Sequence, residues 1–218
     1  MLFRSIFTSL LVALVLGGCS ASPKTSYYRL TSEPVPSMPD ASNTMRLMVG
    51  PVTIPSAMDR PQLVTNSGGD EVQIHEYQRW AGSLKGDAGR VIASNLARNL
   101  GTSNVWNFSQ STQAQFDYQV FIDVQSFESA PGQDVVLDVL WTIRPSVLKS
   151  KNASSLNTNA AADAKQSLRV TTGRSLVREP VTGTGFDALV AAQSRAFNKV
   201  GGDISKKFLS VEYHPTSP

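Results

Sequence analysis

Cysteine occurs once in the 218 residues, at position 19, and it closes a stretch unlike anything after it. Arg4 supplies one positive charge. Ile6 to Leu16 is apolar apart from Thr8 and Ser9, and Gly17-Gly18 leads into the cysteine. A run this short, with one basic flank and small residues at its end, reads as a secretory signal rather than a membrane span. The consequence for folding is direct. What folds is residues 19 to 218, with no second cysteine to form a disulfide, so side-chain packing alone must supply the stability.

Leu16-Gly17-Gly18-Cys19 resembles the bacterial lipobox, in which the signal is cut before the cysteine and the cysteine carries the acyl chains. That resemblance makes residues 1–18 a lipoprotein signal peptide and 19–26 a lipidated tether. It makes the covalent lipid on Cys19 the only cofactor expected. Three acyl chains exceed the two signals that stable attachment requires. Ser20 stands where an Asp favours retention in the inner membrane, so the expected location is the periplasmic face of a Gram-negative outer membrane. Residues 27–212 form one domain, and 213–218, ending in prolines, a frayed tail.

Charge excludes one class of partner. Only Arg4 is lost with the signal, so 19 basic residues face 17 acidic ones, too mild a balance for a nucleic-acid surface. His75 and His214 are the only histidines and lack partners at ligand spacing, so no metal is expected.

Along the chain, Tyr27-Tyr28-Arg29-Leu30 is a first β-prone segment, followed by a loop containing Pro34, Pro36 and Pro39. Met45 to Ile54 is a strand whose Gly50-Pro51 marks a bulge or an edge, since proline cannot donate to a ladder. Leu63–Asn66 and Glu71–His75 form a hairpin across Ser67-Gly68-Gly69-Asp70. Trp80 and Leu84 have the spacing of one face of a helical turn over Tyr77–Leu84. Asp87–Leu100 is a helix that Asp87 can cap and Gly101 can end, with Ala88, Val91, Ile92, Leu96 and Leu100 as its apolar stripe.

Asp117–Phe127 and Asp134–Ile143 alternate across a Pro-Gly turn and give the central antiparallel hairpin. Lys149–Ala164, rich in Ser, Asn and Ala, is a long loop, and Leu168–Thr172 resumes as a strand. Phe186–Leu209 is the second helix, with a kink at Gly201-Gly202. Strands, helix, strands, helix predicts an α+β fold: a largely antiparallel mixed sheet covered on one face by two main helices.

No constellation assembles a nucleophile, a base and an orienting group. Gly183-Thr184-Gly185-Phe186-Asp187-Ala188 matches G-x-G-x-x-A, but too little chain follows for a second βα unit, so it reads as a loop and helix start. Gly101-Thr102-Ser103 is half a nucleophile elbow behind a helix rather than a strand. Asp123 and Asp138 fall on adjacent strands, which makes them candidates for paired carboxylates; the plainer reading puts each on the polar face of its strand. The chain does not read as an enzyme.

The distinctive stretch lies between Val49 and Leu84. Val49-Gly50-Pro51-Val52-Thr53-Ile54-Pro55, then Asp59-Arg60-Pro61-Gln62-Leu63-Val64, then Arg79-Trp80-Ala81-Gly82-Ser83-Leu84 resemble the ABC-type transport auxiliary lipoproteins of the PqiC type. The lipobox, the Tyr27–Leu30 opening and both helices fit as well. Gly82 stands where that family commonly has an acidic residue, and Lys149–Ala164 is longer than its usual loop.

The resemblance implies a non-catalytic lipoprotein that docks an MCE-domain tunnel protein of the inner membrane and periplasm. It also implies attachment to the outer membrane through acyl chains, with phospholipid as a candidate ligand and a homo-oligomer as a candidate assembly. Asp59, Arg60, Pro61, Gln62, Leu63, Arg79 and Trp80 are the candidate partner-binding residues. Read without the resemblance, Asp59-Arg60-Pro61 is a stiff loop whose Arg60 pairs with Asp59 or a helix end, and Trp80 is core. The alternative function is a periplasmic lipid-binding chaperone that acts on its own.

Overall fold

The computed structural model describes residues 23–34, 45–66, 70–108, 115–146 and 170–212. The signal 1–18, Cys19, the prolines Pro36 and Pro39, the 67–69 turn, the 149–164 loop, Leu168 and the 213–218 tail lie outside the described residues.

The chain is α+β, as its alternating and helical patterns predict. It runs β1 (Ser26–Tyr28), β2 (Leu47–Thr53), β3 (Gln62–Asn66), β4 (Val72–Trp80), α1 (Leu84–Leu100), β5 (Val105–Asn107), β6 (Tyr118–Ser129), β7 (Asp134–Pro145), β8 (Thr171–Pro180) and α2 (Gly185–Glu212). The strands divide between two sheets rather than one. Five form a mixed sheet in the order β5-β2-β6-β7-β8, and three form a smaller one in the order β1-β4-β3. The β6–β7 and β7–β8 pairings are antiparallel over most of their length, whereas β2 runs parallel to both β5 and β6.

The β6–β7 hairpin is the expected centre. Tyr118, Val120, Ile122 and Val124 of β6 are buried, and so are Val135, Leu137, Val139, Trp141 and Ile143 of β7. The register of β6 slips between Val124 and Ser126. An extra residue on one strand reverses which side chains point inward. After the slip Phe127 and Ser129 take the buried positions. The buried face lies under the helices: Phe127 meets Phe197 at 5.5 Å, and Tyr118 meets Phe208 at 4.9 Å. α1 covers the β5–β2 end and α2 the β7–β8 end. The opposite face carries polar pairs such as Arg178–Asp134.

Gly50-Pro51 does mark a bulge. Its peptide bond is cis, and the β2–β6 register shifts between Val49 and Val52. β5 pairs with β2 only as far as Val49, so among the described residues no strand pairs with Pro51 on the side where its missing N–H would matter.

Further expectations from sequence need correction. Tyr77–Leu84 is not a helical turn, because β4 runs on through Trp80. The Trp80–Leu84 spacing reflects two core side chains on either side of a strand-to-helix turn. Helix α1 starts at Leu84, and its cap is Ser83, whose hydroxyl accepts from the Gly86 N–H at 3.4 Å. Asp87 instead accepts from the Leu30 N–H and pairs with Arg90. The last strand extends well past Thr172, to Pro180, and the three-residue β5 carries too short a pattern to be read.

Two residues after β1 tie the N-terminal segment to both helices. The Leu30 carbonyl accepts from Arg90 of α1. The Thr31 N–H donates to the Ser194 hydroxyl of α2 at 3.0 Å, and the Thr31 carbonyl accepts from Asn198. Gly201-Gly202 leaves α2 unbroken. Gly201 faces Asn95 of α1, within a buried polar seam that includes Asn95, Asn198 and Ser205.

Candidate functional site

Pro55 and Pro61 fix the backbone at both ends of a tight turn, in which the Asp59 N–H donates to the Pro55 carbonyl and the Arg60 N–H to that of Met58. β3 then pairs with β4 in an offset way. Leu63 lies opposite His75, but Gln62 lies opposite Arg79, so Glu76–Gln78 bulge out of the ladder. That offset brings the Asp59–Val64 and Arg79–Leu84 blocks together. The Trp80 N–H donates to the Pro61 carbonyl at 2.7 Å, and the Gln62 side chain donates to Glu76 at 3.2 Å.

Within this cluster the side chains part company. Leu63 is fully enclosed, and Trp80 is buried with it in the core. Neither can offer an apolar anchor to a partner, so both leave the candidate docking set and serve packing. Asp59 pairs with Lys85 in the first turn of α1 at 2.6 Å, not with Arg60. Arg60 and Arg79 make no ion pair or side-chain hydrogen bond among the described residues, and the Nε of each is enclosed without an acceptor. Enclosing a donor without a partner carries a desolvation cost of about 1–3 kcal/mol. The surface residues of the block are thus Asp59, Arg60, Pro61, Gln62 and Arg79. Two of them are cations with no ion pair among the described residues.

The small sheet rests on the start of α2. The His75 ring meets Phe186 edge-on at 4.7 Å and bonds the Thr65 hydroxyl at 2.8 Å. Burial lowers the His75 pKa, which favours the neutral ring. Beside the block, Pro51, Val52, Lys85, Arg90 and Phe108 line an open cleft of about 450 Å³ between β2 and the start of α1.

Other groups with chemical potential are occupied. Asp123 accepts from Thr53 and Gln125, and Asp138 from Arg174, whose hydrogen bond holds the carboxyl below its usual range. The two carboxylates do not pair with each other. Gly183 and Gly185 take positive φ in the turn from β8 into α2, consistent with a loop and helix start. Among the described residues no three His, Cys, Asp or Glu side chains cluster as metal ligands.

Two solved structures share this architecture. The crystal structure of an uncharacterized protein superposes with a TM-score of 0.61 at 15% identity, covering 85% of this chain and 99% of that one. A protein from Xanthomonas campestris gives 0.61 at 18% identity, over 86% and 96%. At such identities the likeness establishes the fold. No curated protein matches the chain. A family model spans residues 28–205, from β1 into α2 and including both distinctive blocks. The chain belongs to the family of the ABC-type transport auxiliary lipoprotein component.

Proposed function

We propose that this protein is a non-catalytic docking subunit of an MCE-type intermembrane lipid-transport system. Acyl chains on Cys19 hold it to the periplasmic face of the outer membrane, and it contributes to envelope integrity by joining that membrane to the periplasmic tunnel. Family membership supports the transport-auxiliary role. The observation that carries the docking role is the meeting of Arg60–Gln62 with Arg79 at the Pro61–Trp80 hydrogen bond, where two guanidinium groups have no ion pair among the described residues. A solvated guanidinium needs no partner. One without a counter-charge at the surface can still present its outer nitrogens as a fork to an incoming carboxylate.

The test is co-purification of the lipidated protein with the MCE protein of the same organism, for wild type and for Arg60→Ala/Arg79→Ala. Retained folding with lost co-purification supports docking through this block. Equal recovery of the MCE protein by both forms overturns it. If the wild type brings down no MCE protein but carries phospholipid in the cleft beside Phe108, the chaperone reading replaces this one.

A further inference from the structure

Three arginines, not two, gather at one end of the small sheet. Tyr27 of β1, Arg79 of β4 and Gln62 of β3 are register partners, and partners across a sheet point to the same face. One residue on, Tyr28 lies opposite Trp80 on the other face; Trp80 is buried there and Tyr28 packs against the core. The face with Tyr27 and Arg79 is therefore the outward one, and Tyr27 is 64% exposed. Arg29 follows β1 directly, beside the 2.7 Å hydrogen bond from the Ala81 N–H to the Tyr28 carbonyl. Arg60 stands on the other flank, next to Pro61.

Arg29, Arg60 and Arg79 have no ion pair among the described residues. Of the other seven described arginines, six pair with a carboxylate, and Arg144 lies 4.9 Å over the Phe121 ring. The nearby acids are engaged elsewhere: Asp59 by Lys85, Glu76 by Gln62, Glu33 by Arg98. Strands β1 and β4 also carry Tyr27, Val72, Ile74 and Tyr77, four of the nine large hydrophobic side chains exposed among the described residues. Arginine beside tyrosine is the composition of binding hot spots. β1 is the outer strand of its sheet, and no described strand pairs with its free edge. An open edge suits an extended peptide rather than a lipid headgroup.

We propose that this face receives an acidic segment of a partner protein. The carboxylates of that segment are taken by Arg29, Arg60 and Arg79, and its apolar side chains cover Tyr27 and Tyr77. The proposal rests on the docking reading above and adds the chemistry of the contact, including Arg29 and Tyr27, which are not among the partner-binding candidates of the sequence.

The test uses the full lipidated chain in cells, with Tyr27 replaced by the photo-reactive analogue benzoylphenylalanine. Illumination is expected to attach a Glu- or Asp-rich peptide, identified by mass spectrometry. Arg60→Glu/Arg79→Glu is expected to reduce the adduct about tenfold or more without lowering the melting temperature. Replacing the captured carboxylates with lysine should restore it. An adduct on phospholipid, an adduct indifferent to charge reversal, or no adduct at all overturns the proposal. A charge-dependent acidic segment from a protein other than an MCE protein upholds this inference and removes the function proposed above.

Discussion

Gly201 and Asn95 touch where the two helices cross, so closely that a Cβ on Gly201 would stand 2.7 Å from the Asn95 Cβ. Asn95 is itself fixed, donating to Asn198 and accepting from Asn99 at 2.8 Å. The glycine is thus a contact residue in a polar seam, not a flexible joint.

Gly201→Ala and its neighbour Gly202→Ala are therefore expected to act in opposite directions. Alanine at 201 meets rigid backbone-proximal atoms and is expected to destabilise by about 1–3 kcal/mol, despite its better helix propensity. A Cβ at 202 meets nothing within 4 Å, so Gly202→Ala is expected to stabilise by up to about 1 kcal/mol. Thermal melts of the two variants decide. Equal shifts of the same sign would show that the helices do not meet as described.

Glu179 sets an acid limit on stability. It is buried under α2 and contacts Arg195 at 3.0 Å and Lys199. Burial pushes its pKa up, but the hydrogen bonds and charges of Lys199 and Arg195 together outweigh that and hold it below the ordinary 4.5. A depressed carboxylate contributes stability above its unfolded pKa and loses it as pH falls through the folded value. The melting temperature should therefore fall more steeply below about pH 4.5 in wild type than in Glu179→Gln. The variant itself is expected to be about 1–3 kcal/mol less stable at pH 7. Parallel acid slopes would remove Glu179 from this role.

Arg60 and Trp80, neighbours in the candidate site, are expected to separate cleanly. Arg60→Ala removes no ion pair and should leave the melting temperature within about 2 °C of wild type. Trp80→Ala opens a cavity in the core and should cost about 3–5 kcal/mol. Partner binding per folded molecule should fall for Arg60→Ala and persist for Trp80→Ala. The reverse pattern would return Trp80 to the docking surface.

Cys19→Ala is expected to leave the protein uncleaved or free in the periplasm, since the acyl chains are its only proposed anchor. Membrane fractionation reads this directly. Properly cleaved Cys19→Ala protein sedimenting with outer membrane would end the lipid-anchor assignment.

The sequence was most legible where pattern and contact are local. The alternation of β6 and β7 and the stripe of α1 each name their own buried face, and the structure buries those residues. The parallel pairings of β1 with β4 and β2 with β6 join segments with the intervening chain between them, and no periodicity reports on such partners. At the candidate site the sequence supplied the residue types but not their sides. Leu63 stands between Gln62 and Val64 and Trp80 between Arg79 and Ala81, and the offset of β4 shows that both turn inward while Arg79 turns out. Arg29, in the sequence only part of the Tyr27–Leu30 opening, joins the site through the pairing of β1.

The double tie at Leu30 and Thr31 bears on what a leash at the N-terminus would do. A chain pulled from its N-terminal side loads β1 first, and β1 lies alongside β4 in the same direction, so its hydrogen bonds are drawn in shear rather than opened one at a time. Tension that passes this point reaches Arg90 and Ser194 together, and spreads into both long helices. Were the chain anchored at that end, as proposed, the three-residue strand would be the first element to bear load and the two helices beneath it the next.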